Sequence, residues 1–191
     1  MLNPVMAGAR VYLRPLETRD AEPLARGRHE ETETFFEGGR VPFSAIAFAL
    51  WIEELHAYQP PEEIQFAICL KEDDRLIGMT GVSNLDWINR TGETEIYLLS
   101  TAHRERGYGT EAKHLLLEYC FDRLQLEMVS SFIWEPNQRS VEAVLRQGYR
   151  PAGRIESRIL QGGRFRDVLV FDLARDEWLD ARDTWSDRRL S

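Results

Sequence analysis

The segment Arg104-Glu105-Arg106-Gly107-Tyr108-Gly109-Thr110-Glu111-Ala112 holds the residue types best suited to chemistry. Two glycines one residue apart let a backbone turn tightly and let several N–H groups converge. At the start of a helix such a convergence is a cradle for an anion. Arg104 and Arg106 would add full positive charge beside it. The same stretch matches G-x-G-x-x-G/A, the dinucleotide fingerprint, with Glu135 lying 23 residues after Ala112 like an acid that binds a ribose. That fingerprint needs its first glycine almost directly after a strand, whereas seven residues, Ser100 to Arg106, intervene here. A nicotinamide oxidoreductase is therefore the weaker reading. No Gly-Lys-Ser/Thr follows the glycines, which excludes a phosphate-loop NTPase.

Other chemistries find less support. Cys69 and Cys120 lie in apolar stretches and read as buried thiols in a reducing compartment. The 4 histidines have no ligand spacing, so no metal site is expected. The only lysines, Lys71 and Lys113, stand in no nucleophile or phosphate motif. With 32 Asp+Glu against 24 Lys+Arg, the formal charge of −8 argues against a nucleic-acid binder. The longest apolar run, Ala45 to Ile52, is far short of the ~20 residues a spanning helix needs. No basic region followed by a long apolar stretch opens the chain, so a cytoplasmic protein without membrane contact is expected.

The elements that must position the loop follow from periodicity and punctuation. A strand over Val11–Arg14 ends at Pro15, and Thr18 or Asp20 can cap a helix running to about Thr34, broken by Gly38-Gly39. Ser44 caps a second helix with Phe48, Trp51, Ile52 and Leu55 on its apolar face, stopped by Pro60-Pro61. Strands over 64–71 and 75–82 flank an acidic turn, and a third runs from about Gly92 to Leu99. A helix from Gly107 to about Leu124, a buried-type strand over 128–134 and a helix carrying Val141, Val144 and Leu145 come next. Strands over 149–160 and 165–173, joined through Gln161-Gly162-Gly163, close the pattern. The order predicts one α/β domain spanning 1–191, with a core of about 10–178 and a tail over 179–191. Its fold would be a single mixed, mostly antiparallel sheet with helices on both faces.

Arg104-x-x-Gly107-x-Gly109 resembles the R/Q-x-x-G-x-G/A pyrophosphate loop of the GNAT N-acetyltransferases, and the strand over 94–99 resembles the one that precedes it. Gly109-Thr110-Glu111-Ala112 is similar to the G-x-x-E-A helix start of the RimJ/RimL branch, which acetylates ribosomal-protein N-termini. Pro136-Asn137-Gln138-Arg139-Ser140 with Gly148-Tyr149 resembles that branch's N-x-x-S…G-F/Y segment. The opening Leu13-Arg14-Pro15-Leu16 and the closing Arg166-Asp167-Val168 to Glu177-Trp178 are similar to it as well.

The resemblance implies an enzyme that transfers the acetyl group of acetyl-CoA to a primary amine by direct attack, without a metal. Acetyl-CoA would lie where the strands over 93–99 and 128–134 splay apart. Its pyrophosphate would rest on N–H groups of Arg106, Gly107, Tyr108, Gly109 and Thr110, with Arg104 assisting. N–H groups near Tyr97, Leu98 and Leu99 would meet the pantetheine arm and polarise the thioester carbonyl, and Asn137 and Ser140 would line the same groove. The attacking amine must be neutral. Glu93 and Glu95, at i and i+2, share one face of a strand; the family carries an acid at the Glu95 position, which makes it the expected base, with Glu93 as the alternative. Many members use a tyrosine seven residues after the asparagine to protonate the thiolate, but that position is Val144. The branch uses the serine at Ser140 instead, a residue that could equally be a helix N-cap. Glu111 reads as a loop-bracing carboxylate rather than a base. The family's acceptors include protein N-termini and small amines, and it also implies a homodimer. A catalytically silent acyl-CoA-binding sensor is the other reading of the same motifs.

Overall fold

The computed structural model describes residues 1–30 and 43–190. Eight strands form one sheet in the order β1-β2-β3-β4-β5-β6-β8-β7. They are β1 (Met6–Ala7), β2 (Val11–Pro15), β3 (Ile64–Leu70), β4 (Leu76–Asp86), β5 (Thr91–Leu98), β6 (Met128–Trp134), β7 (Arg150–Gln161) and β8 (Arg164–Ala174). Every neighbouring pair is antiparallel except β5 with β6. The helices are α1 (Ala21–Glu30), α2 (Ala45–Glu54), α3 (Tyr108–Glu118), α4 (Gln138–Arg146) and α5 (Arg175–Leu190).

Alternation along β3 shows how the core is divided. Phe66 and Ile68 join Leu115 and Leu116 of α3 in one apolar cluster, while Ala67 and Cys69 join Leu24 of α1 and Ile52 of α2 in another. Side chains alternate across a strand, so a strand that is apolar throughout demands cover on both faces. The sheet is thus a mixed, mostly antiparallel layer between two helical layers, as expected. Both cysteines are free and buried, and loss of water pushes the Cys120 thiol up to about 12.

Several local expectations are corrected. Asp20 is not a helix N-cap: Thr18–Asp20 is a single 3₁₀ turn before α1, and the Asp20 carboxylate is buried in a two-pronged pair with Arg14, both contacts at 2.7 Å. Asp20 holds the Arg14 guanidinium above its ordinary value, against the opposing effect of burial. Ser44 does cap α2, accepting from Ala47 N at 3.2 Å, but α2 ends at Glu54, before Pro60 is reached. Periodicity alone missed β1 and α5; α5 carries Trp178, which is buried and stacked on Phe121. The expected end of the first helix near Thr34 and the Gly38-Gly39 break lie outside the described residues.

The feature that shapes the site is a short parallel pairing. β5 and β6 are in register only over Thr91↔Met128, Gly92↔Val129 and Glu93↔Ser130. Beyond that point β5 stays on β4 as far as Leu98↔Gly78, while β6 stays on β8 as far as Trp134↔Val168. Each strand keeps its antiparallel partner, so the two diverge and a wedge opens between them. Parallel neighbours require a crossover, and α3 is part of the one that brings the chain from β5 back to β6.

Candidate active site at the parting of two strands

Side chains close the apex of the wedge. Thr94 Oγ1 donates to Ser130 O (3.1 Å), and Ser131 Oγ donates to Thr94 O (3.4 Å). The Thr94 hydroxyl has one proton, already given to Ser130, so the Tyr149 phenol must donate to Thr94 Oγ1 across 2.7 Å. Tyr149 is buried, which raises its phenol above the ordinary value.

Along the open edge, the ladder decides which backbone groups face the wedge. Leu99 N donates to Ile77 O on the β4 side. Alternation in an antiparallel pair then turns Tyr97 and Glu95 toward β4 also, and turns Thr94, Ile96 and Leu98 toward β6. Thr94 O and Leu98 O bear this out by accepting from Ser131 and from Arg104 NH2 (3.4 Å). The N–H groups that line the wedge therefore belong to Ile96 and Leu98, and those of Tyr97 and Leu99 do not. The Tyr97 phenol instead donates to Gly27 O (2.9 Å), and Leu99 packs against the same glycine, docking α1 on β5.

The loop expected to hold an anion stands at the mouth. Gly107 is the N-cap of α3, in the left-handed region (φ 78°) that glycine adopts without strain. Glu111 N is the first to close a helical bond, to Gly107 O at 3.0 Å, so the N–H groups of Tyr108, Gly109 and Thr110 have no partner within the helix. The first glycine comes nine residues after the end of β5, and that strand is antiparallel to β4, both foreign to a dinucleotide fold. Arg104, half-buried, is lowered from its usual value by burial and by the charge of Arg139 in the first turn of α4. Two cations in each other's field across this mouth favour an anion between them. Arg106 is exposed, and the neighbouring His103 is lowered by burial first, then by the charges of Arg75 and Arg106.

On the opposite wall, Asn137 caps α4 by accepting from Ser140 N at 3.3 Å. The reading of Ser140 as the N-cap is thus corrected: it occupies the third helical position, half-buried, with its hydroxyl not taken up by capping. Val144 is buried in the core and presents no proton donor.

Glu95 is exposed on the face covered by α1 and α2, in register with Gly81 and, one strand further, with Gln65. Because Gly81 has no side chain, Gln65 reaches across it; a Cβ there would lie 2.3 Å from Gln65 Oε1. Gln65 Nε2 donates to Glu95 and to Glu63 Oε1 (2.7 Å), and its own Oε1 is buried without a partner. Burial raises the Glu63 carboxyl, with a further contribution from Glu95. Glu93, two residues before Glu95, shares its face and is partly covered. Sequence reasoning missed Gln65 and Arg139, since neither stands in a motif that marks it. It also gave no role to Lys113, which is buried with its ammonium 5.9 Å from the centre of the Tyr149 ring. Loss of water brings Lys113 down to about 7. Among the described residues no cluster of His, Cys, Asp and Glu could hold a metal ion, and no helix is long and apolar enough to cross a membrane.

Comparison with known proteins agrees with this geometry. Residues 10–150 match the family model described as Acetyltransferase (GNAT) domain. The probable N-acetyltransferase YjcK of Bacillus subtilis is 30% identical over 178 residues, covering 87% of this chain and 94% of its own. Spermidine N-acetyltransferase SpeG of Vibrio cholerae, as a chimera with hSSAT, superposes with a TM-score of 0.79 at 20% identity, covering 90% of this chain and 99% of that one. Mycobacterium smegmatis RimJ in complex with CoA-disulfide gives 0.78 at 22% identity, covering 91% and 89%.

Proposed function

The chain belongs to the GNAT acetyltransferase family, and from that premise we propose that it transfers the acetyl group of acetyl-CoA to a primary amine, on a protein N-terminus or a small molecule. The observation that carries this reading is the wedge between β5 and β6, open beyond Glu93 and Ser130, with the bare N-terminus of α3 at its mouth. Acetyl-CoA, when bound, supplies an acetyl group already activated as a thioester.

The residues present suit it. The N–H groups of Gly107, Tyr108, Gly109 and Thr110, flanked by Arg104, Arg106 and Arg139, hold the pyrophosphate. The inward N–H groups of Ile96 and Leu98 pair with the pantetheine arm and polarise the carbonyl. Glu95, held in place by Gln65, removes the proton from the incoming ammonium through water. The amine nitrogen bonds to the acetyl carbon as the C–S bond breaks, and the Ser140 hydroxyl passes a proton to the departing sulfur while regaining one from solvent. Glu63 lies in the field of both Glu95 and Glu54, an accumulation of negative charge that supports an acceptor arriving as a cation. A cytoplasmic enzyme, assembled as a homodimer, fits the family.

The test has two stages. Acetyl-CoA should raise the melting temperature by mass action and NAD should not; the reverse would overturn the reading. Thiol release should then be followed over amino-terminal peptides, spermidine and other small amines, because the two named fold neighbours are a RimJ and a spermidine N-acetyltransferase. Stabilisation by acetyl-CoA without thiol release on any amine would make the protein a binding module instead.

A further inference from the structure

Arg10 lies in the tight turn between β1 and β2, about a hundred positions from the cradle in sequence, yet it is built into the cradle's back. Glu111, buried in the first turn of α3, accepts from Arg10 N (2.8 Å), Val11 N (3.3 Å) and Arg10 Nε (3.0 Å). Arg10 NH1 donates to Arg106 O at 2.7 Å, its guanidinium carbon stands 5.0 Å from the centre of the Tyr108 ring, and NH2 lies beside Gly107, where a Cβ would come within 2.9 Å. The turn is itself held from β3's end: Lys71 N donates to Arg10 O and Lys71 Nζ to Gly8 O, both at 2.9 Å. Burial alone would raise the Glu111 carboxyl, but the N–H groups of Arg10 and Val11, with the guanidinium, outweigh it and hold it below the usual range.

We propose that Arg10 is a positioning residue for the pyrophosphate cradle, fixing the Arg106–Gly107 peptide plane. In a trans peptide the carbonyl oxygen and the following N–H point in opposite directions. Drawing Arg106 O toward the β1–β2 turn therefore turns the Gly107 N–H away from it. Gly107 O is already committed to Glu111 N, which orients the Tyr108 N–H toward the open end of α3 by the same rule. Glycine at 107 leaves this plane free to rotate, so an outside clasp has to hold it. Nε on Glu111, NH1 on the carbonyl and the planar face over Tyr108 use the guanidinium as a fork, which an ammonium cannot reproduce. The ligand assigned here depends on the acetyltransferase reading; the clasp does not.

Arg10→Ala should fold, because the N–H groups of residues 10 and 11 still satisfy Glu111. Three readouts test the proposal: calorimetric affinity for CoA, KM for acetyl-CoA against acetyl-pantetheine (a thioester with no pyrophosphate), and amide hydrogen exchange over 106–110 in the ligand-free protein. We expect Arg10→Ala to weaken CoA about 10-fold or more, the size of one or two misaligned charge-assisted hydrogen bonds. KM for acetyl-CoA should rise in step, with KM for acetyl-pantetheine and kcat unmoved, and exchange over 106–110 should accelerate. Arg10→Lys should fall between. Equal losses with both thioesters would reduce Arg10 to a structural residue. Weaker CoA binding with unchanged exchange would make it a direct phosphate ligand, also against the proposal. If the wild-type protein bound no CoA the functional reading would fall, and unchanged exchange in Arg10→Ala would still overturn the clasp.

Discussion

Glu111 and Glu95 stand on the two sides of the same opening and are treated by the fold in opposite ways. Glu111 is buried and answered by two backbone N–H groups and a guanidinium, so its capacity to accept is committed to the protein. Glu95 is exposed and held by one amide, from Gln65, so most of its capacity faces outward. One side is thus made of backbone donors locked by buried side chains, and the other of carboxylates left open. A carboxylate saturated by protein donors holds those donors in place, whereas an open one keeps lone pairs for a molecule that arrives from outside.

The largest effect should come from the open side. Glu95→Gln should cut turnover at neutral pH by ~10²–10⁴-fold, the usual size of general-base catalysis, with CoA affinity nearly intact. The loss should shrink at high pH, where the acceptor amine is already neutral. Unchanged turnover would move the base to Glu93 and break the contrast between Glu95 and Glu111.

Glu111→Ala should do the reverse, acting first on stability. It strips the acceptor from the N–H groups of Arg10 and Val11 and should cost roughly 1–3 kcal/mol, read as a lower melting temperature and weaker CoA binding together. The carboxylate's contribution is full above its ordinary value of 4.5 and fades in acid as its lowered folded value is crossed. The variant's deficit should therefore be full at pH 7 and shrink in acid.

The α4 wall separates capping from proton donation. Asn137→Ala should cost about 0.5–2 kcal/mol as a lost cap. Ser140→Ala should leave the melting temperature nearly unchanged and lower turnover without abolishing it, since a thiolate is a tolerable leaving group. Full turnover in Ser140→Ala would remove the serine from the chemistry.

On catalysis, the smallest effect is expected behind the apex, where the change is one of stability with pH. Lys113 falls from 10.5 to about 7 on burial, so folding displaces its proton anywhere between those values. That cost is complete below pH 7 and is relieved as pH rises toward 10.5. Lys113→Met should therefore melt higher than wild type at pH 7, and the two should converge near pH 10. A wild-type melting temperature flat over that window would place the charge in water.

Much of this was legible locally. Apolar alternation and turn punctuation marked β2 to β8 within a few residues, and the paired glycines after a polar loop marked the helix start that makes the cradle. β1 escaped because two residues hold no period, and α5 because its apolar residues are sparse along a charged helix. Ser140 could not be told from a cap, because Asn137 and Ser140 are both good capping residues and only the backbone at Asn137, non-helical where Ser140 is already in the helix, decides between them.

Short-range chemistry needs only neighbours in the chain, so the amino-acid order by itself determined strands β2 to β8, the glycine hinge at Gly107 and the paired acids on β5. Contacts between distant segments depend on how strands are shared. Tertiary structure alone decided that β5 and β6 part after Glu93 and Ser130, because β4 and β8 compete for them and keep them. It alone brought Arg10 to Gly107 and Gln65 across Gly81 to Glu95, because those encounters need β1 through β5 laid side by side before any of these side chains can meet.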